Sequence, residues 1–226
     1  MLKIFFSDSK IYLQNESRLI DSNQLKKLEQ TFDVKNLVLL HQTHSNIGKN
    51  LTSIDEIQNH EYFKGDYLIT NLKNIGLVIR TADCLPIIIF DEQKKVIANI
   101  HAGWRGSVSG VVENTIRDMQ KYYNSNLSDL KVYFGPCAKV CCYKVSEDFD
   151  KNLKQFTELT IFKIGNYIYF DLPKYNLLTL YQLGIDISQV YLNSNNCTIC
   201  NKNYYSYRRD NKETRRQINL VVLLPS

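Results

Sequence analysis

The run RTADCLPIIIF (residues 80–90), followed after a charged turn by VIANIHAGWRGSVSG (residues 96–110), decides how this chain folds. Leu85–Phe90 is apolar on both faces, which suits a central β-strand covered on both sides. Val96–Ile100 reads as a second strand. The glycine-rich turn after it leads into a segment where Val108, Val111, Val112, Thr115, Ile116 and Met119 share one helical face. Ser107 is the expected cap of that helix, and residues 124–128 are its polar stop.

Outward from this pair, strands are expected at Leu37–Leu40, Tyr67–Thr70, Gly76–Arg80, Pro86–Phe90, Lys131–Phe134, Tyr167–Phe170, Val190–Asn193 and Ile218–Leu223. Further helices are expected at Asn23–Gln30, Ser146–Phe156 and Pro173–Leu183, the last opened by a first-turn proline and followed by Gly184. The alternation gives an α/β (α+β) class, with mixed β-sheets packed together and flanked by helices. No repeat, linker or charge block divides the chain, so residues 1–226 read as a single domain.

Composition narrows the function classes. A net charge of +5 falls short of a dedicated nucleic-acid binder but is compatible with small anionic ligands. The longest apolar runs, Leu85–Phe90 and Ile218–Leu224, are strand-sized, so no membrane span is expected. The opening MLKIFFSDSK is too short an apolar run for a signal peptide, and a cytoplasmic location follows as an expectation. In that compartment six cysteines are thiols or metal ligands rather than a disulfide framework.

Four histidines make their placement informative. His41 and His44 lie in LLHQTHSN (residues 39–46) at one strand end, and His101 lies at another. Cys84 stands at the head of the apolar strand. Donors at the mouths of three strands can converge, and a His₂Cys set with an open position suits zinc, with copper as the other occupant. Against this, strand-end histidines and small buried cysteines commonly serve packing alone. Asp83 and Asp66 could move protons or fix a ligand histidine through its second ring nitrogen. The turn at Gly103, Gly106 and Gly110 could bring phosphate to a helix N-terminus or simply make a tight connection with Trp104 as core. Arg105, Gly103, Arg80 and Asp66 make up the expected substrate- and phosphate-binding set.

Other clusters read more plainly. GPCAKVCCYKV (residues 135–145) departs from the proline-cysteine pattern of zinc nucleobase deaminases, because Cys141 comes one residue too late. Cys197 and Cys200 form one CxxC; a structural zinc would need two more ligands, so they read as loop thiols. The tail YYSYRRDNKETRRQ (residues 204–217) reads as a solvated loop rather than an RNA-binding face built on Arg208 and Arg209.

In order along the chain, QTHS, GDYLIT, TADCLPI, IHAGWRG, GPC with CCYKV, YFDL, CTIC and YYSYRRD resemble the bacterial laccase-like-domain (YfiH-like) family, once called multicopper polyphenol oxidase. The resemblance implies a compact α/β fold and a metal site at His44, Cys84 and His101, with one Zn²⁺ or alternatively Cu²⁺ per chain. It implies action on purine nucleosides and phosphate: phosphorolysis of adenosine, inosine, guanosine and methylthioadenosine, and deamination of adenosine. In a mechanism consistent with this, a carboxylate such as Asp83 manages protons. Four histidines are too few for the clusters of a true multicopper oxidase. A copper-dependent polyphenol oxidase remains one alternative function. A cysteine hydrolase using Cys84, with His101 as base, on amide bonds of cell-wall precursors is another. Two departures stand out. FFSDSK puts Ser9 near an arginine usual in the family, and Arg215-Arg216 replaces a glycine-arginine pair. Monomer and dimer are both open.

Overall fold

A computed structural model describes residues 1–13, 22–58, 63–211 and 215–225. The chain runs β1 (Leu2–Phe6), β2 (Tyr12–Leu13), α1 (Ser22–Phe32), β3 (Asn36–Leu39), β4 (Gly48–Leu51), α2 (Ile54–Gln58), β5 (Tyr67–Thr70), β6 (Ile75–Thr81), β7 (Leu85–Asp91) and β8 (Val96–Ala102). It continues with α3 (Trp104–Ser109), α4 (Val111–Tyr123), β9 (Leu130–Phe134), β10 (Lys144–Val145), α5 (Thr157–Thr160), β11 (Ile161–Ile164), β12 (Tyr167–Phe170), α6 (Leu172–Gln182), β13 (Val190–Tyr191) and β14 (Arg216–Leu223).

Two mixed sheets pack face to face. One has the order β1-β14-β6-β3, with β2 also on β14; the other has the order β13-β9-β7-β8-β5-β4. Alternation along the strands builds the layers. Ile88, Phe90 and Ile97 of the six-stranded sheet meet Leu77, Ile79 and Val221 of its partner. Ile87, Ile89, Ala98 and Ile100 point the other way, onto Val112, Ile116 and Met119 of α4 and Tyr175 of α6. On the outer face of the five-stranded sheet, Val78, Leu220 and Val222 cover Leu28 and Phe32 of α1. β7 is therefore apolar from Leu85 to Phe90 because both its faces are buried, as its sequence predicts. A small antiparallel sheet, β10-β12-β11, stands apart.

Several sequence expectations change. The helix expected across Gly110 is two helices, because Gly110 takes a left-handed φ of 91° and ends α3 while opening α4. Gly103, not Ser107, caps α3; Ser107 is inside it and buried. Asn124, at φ 53°, ends α4 as expected. Ser146–Phe156 holds only a 3₁₀ turn at Phe149–Asn152. Strands β1, β4 and β11 were not foreseen, since LKIFF, GKNL and IFKI are too short or too polar to show a period. No helix among the described residues is long and apolar enough to cross a membrane.

Candidate metal centre

Strand register makes the site. In the β7–β8 ladder Leu85 pairs with Ala102 and Pro86 with His101, so Cys84, one residue before β7, arrives beside His101 at the end of β8. β5 lies on the other side of β8, with Tyr67 opposite Ile100, and the His101 N–H donates to the Asp66 carbonyl at 2.7 Å. The loop carrying His44 is held there too. His41 N–H donates to Phe63, and Gly65 N–H donates to His41. The sulfur of Cys84 and a ring nitrogen from each of His44 and His101 all lie within 4.8 Å of one another. Around a tetrahedral zinc, bonds of about 2.0–2.3 Å would put such donors roughly 3.3–3.6 Å apart, so a small inward movement completes the set.

Asp66 organises these ligands from behind. Its carboxylate accepts from the His44 N–H at 2.9 Å, the Ser45 N–H at 2.6 Å, the Ser45 hydroxyl at 2.7 Å and the Thr43 hydroxyl at 3.0 Å. His101 Nδ1 stands 2.8 Å from Asp66 Oδ1, which fixes Nδ1 as the protonated nitrogen and turns Nε2 toward the shared point. Burial alone would raise the Asp66 carboxyl, yet His101 and Ser45 hold it well below the usual carboxylate range. Burial likewise pushes the Cys84 thiol up, but His101 and His44 outweigh it and bring it down to about 6. His101 is raised to about 9 against its own burial by Cys84 and Asp66. The arrangement favours a Cys84 thiolate paired with a protonated His101, and a cation bound there would displace the His101 Nε2 proton.

Both His44, at φ 59°, and Asp83, at φ 88°, sit in the left-handed region that non-glycine residues seldom adopt. The Asp66 bond to the His44 amide offsets the first. For the second, the Asp83 carboxylate accepts from the Thr198 hydroxyl at 2.6 Å, the Ser206 hydroxyl at 3.1 Å and the Arg208 N–H at 2.8 Å. Gly103 permits the close approach: a Cβ there would stand 3.0 Å from the Cys84 sulfur and 3.3 Å from His44 Cδ2.

The ligands open into a cavity of about 640 Å³, within the range of small-molecule sites. Arg80, Arg105, Arg208 and Arg216 line it, with Trp104, Tyr143 and Tyr207. Of the residues expected at substrate, Arg80 and Arg105 reach the wall, as does Asp83, expected to move protons. Asp66 does not, being fully buried behind the ligands, and Gly103 contacts ligands instead. With only six residues in α3, arginines rather than a long helix dipole supply the positive charge. The tail beginning YYSYRRD is a largely exposed loop as expected, with Arg208 exposed and Arg209 half-buried, yet both make specific contacts. Arg208 stacks over Tyr143 at 4.9 Å, and Arg209 donates to the carbonyls of Thr198 at 2.7 Å and Tyr204 at 2.7 Å. Residues 212–214 of that tail lie outside the described residues. Arg216, seen in the sequence only as a departure, stands in the pocket wall while Ser9 does not. Nothing local in YYSYRRD marks its contacts with Asp83, which span more than a hundred residues.

Comparison with known proteins places residues 10–224 in a match to the family described as multi-copper polyphenol oxidoreductase laccase. A purine nucleoside phosphorylase of Clostridium acetobutylicum is 34% identical over 207 residues, covering 89% of this chain and 83% of that one. One from Borreliella burgdorferi is 37% identical over 180 residues, covering 77% and 75%. Among solved structures, the Bacillus licheniformis protein YfiH superposes with a TM-score of 0.85 at 22% identity, covering 98% of this chain and 92% of that one. YlmD from Geobacillus stearothermophilus gives 0.83 at 24%, covering 99% and 91%.

Proposed function

The chain belongs to the multi-copper polyphenol oxidoreductase laccase family, and from that premise we propose that it is a zinc-dependent purine nucleoside phosphorylase. In this reading it also cleaves methylthioadenosine and deaminates adenosine. The observation that carries it is the convergence of His44, Cys84 and His101 on a cavity walled by four arginines. Three donors with an open side are the ligand set of a catalytic rather than a structural ion. The residues fit a single ion, and four histidines do not fit a multinuclear copper oxidase.

In phosphorolysis a phosphate oxygen forms a bond to the anomeric carbon of ribose as the bond to the purine nitrogen breaks, and the purine leaves with a proton. Arg105, Arg208 and Arg216 bind and orient the phosphate, while Trp104, Tyr143 and Tyr207 offer ring faces to the base and shed water from it. Asp83, with its oxygens engaged by Thr198, Ser206 and Arg208, positions the Arg208 wall. Asp66 holds the proton on His101 Nδ1. When bound, zinc supplies Lewis-acid polarisation and, for deamination, lowers the pKa of water.

Metal analysis beside an adenosine assay with and without phosphate tests this. Zinc at this site, phosphate-dependent adenine and phosphate-independent inosine are expected; no metal and no product overturn it. A second reading has one specific observation behind it. A Cys84 thiol brought down to about 6 beside His101 is also the pair a cysteine hydrolase uses on amides. Alkylation of Cys84 that zinc fails to block would favour that reading.

A further inference from the structure

The six cysteines are all free thiols, and four of them meet far from the cavity's ligands in sequence. Cys141 and Cys142 are adjacent in a turn closed by the Cys142 N–H to the Lys139 carbonyl at 2.9 Å. Cys197 and Cys200 bracket a two-residue loop. The two segments are tied by Cys137 N–H to Asn196 at 3.0 Å, Thr198 N–H to Cys137 at 2.9 Å and the Lys139 ammonium to the Asn195 carbonyl at 3.0 Å. All four sulfurs lie within 4.8 Å of one another, and Cys141 Sγ is 4.0 Å from Cys200 Sγ.

These distances separate two chemistries. A disulfide needs roughly 2.0 Å between sulfurs. Four thiolates around zinc at about 2.3 Å stand roughly 3.8 Å apart, close to the spacing here. The Arg209 guanidinium, ion-paired with Asp210, also donates to the carbonyls of Thr198 and Ile199 and so pins the loop between Cys197 and Cys200.

We propose that Cys141, Cys142, Cys197 and Cys200 hold a structural zinc ion, a second site separate from the one at His44, Cys84 and His101. Binding releases the thiol protons and closes all four positions with sulfur, leaving none for substrate. The ion clips the 135–145 segment to the 195–209 segment. The first carries Tyr143, and the second carries Thr198, Ser206 and Arg208, which hold Asp83. The clip thus braces one wall of the cavity, and it does not depend on which reaction occurs there.

The test is zinc content and native mass of full-length protein purified under reducing conditions without chelator. Two zinc ions per chain are expected in the wild type, and one each in Cys84→Ser and Cys200→Ser. A single ion that Cys84→Ser loses and Cys200→Ser keeps would overturn the proposal. So would iron with acid-labile sulfide, or a mass two hydrogens light from a Cys141–Cys200 bond. Should Cys200→Ser fail to fold, cobalt-loaded Cys84→Ser decides: intense sulfur-to-cobalt absorption supports the four-sulfur site, and its absence overturns it.

Discussion

The two cysteine-bearing clusters are built in opposite ways. Cys84 and His101 are set by the register of β7 and β8, His44 by a loop whose backbone N–H is held by Asp66 just ahead of β5, and all three face a cavity. Cys141, Cys142, Cys197 and Cys200 sit in turns and loops, offer only sulfur and face solvent at Cys141 and Cys200. A mixed set with an open side suits chemistry, and an all-sulfur set suits a clip. Removing ligands from each should therefore give different losses.

The largest effect belongs to Cys84→Ala. It should empty the first site and lower kcat/KM for phosphorolysis by roughly 10²–10³-fold or more, the scale of losing a main electrostatic stabiliser. Zinc at the four cysteines should stay. Loss of both ions together would break the distinction, and steady-state kinetics beside zinc analysis reads both.

Asp66→Asn comes next. It puts an amide donor where the His44 and Ser45 N–H groups and His101 Nδ1 all need an acceptor. Metal affinity at the first site should fall about 10–100-fold, as for other outer partners of ligand histidines. The same carboxylate has a pH signature. Its folded pKa lies below the ordinary value of about 3.9, so its stabilisation is present above that pH and is lost as pH falls further. Chelator-treated wild type should be more stable than Asp66→Asn at neutral pH, with the gap closing below about pH 4 in denaturant titrations.

The same contrast explains what was legible in the sequence. β7 and β8 are legible because burial on both faces leaves a nearly continuous apolar run, and Cys84 and His101 draw notice because each stands at the end of such a run. The four-cysteine cluster could not be read, since its halves are separated by more than fifty residues and neither half has a metal-binding count alone. The partners of Arg208 and Arg209 are hidden for a related reason: the exposed, tyrosine-rich loop gives no local sign of its bonds to Asp83 and to the carbonyls near residue 198. The helix break at Gly110 is hidden because the apolar period continues across it while the backbone does not.

A smaller effect is expected for Arg105→Ala. Its guanidinium stacks on Trp104 at 4.4 Å and faces the cavity. Losing one charged contact of about 1.5 kcal/mol should raise KM for phosphate roughly 10-fold while changing KM for nucleoside less. Equal rises in both would point to collapse of the Trp104 wall instead.

Gly103→Ala is the gentlest and the most discriminating change. The backbone there has φ −70°, which any residue adopts, so folding stability should move by less than about 1 kcal/mol. The added methyl, however, would stand 3.0 Å from the Cys84 sulfur and 3.3 Å from the His44 ring, so those two ligands must shift by a few tenths of an ångström. First-site zinc affinity should weaken several-fold, well short of the Asp66→Asn loss because the outer hydrogen bonds survive. The four-cysteine site, held by a different pair of loops, should keep its zinc through the same chelator titration. Parallel loss from both sites would mean that the clusters communicate through the segment from Asp83 to Thr198, which is the contact that joins them.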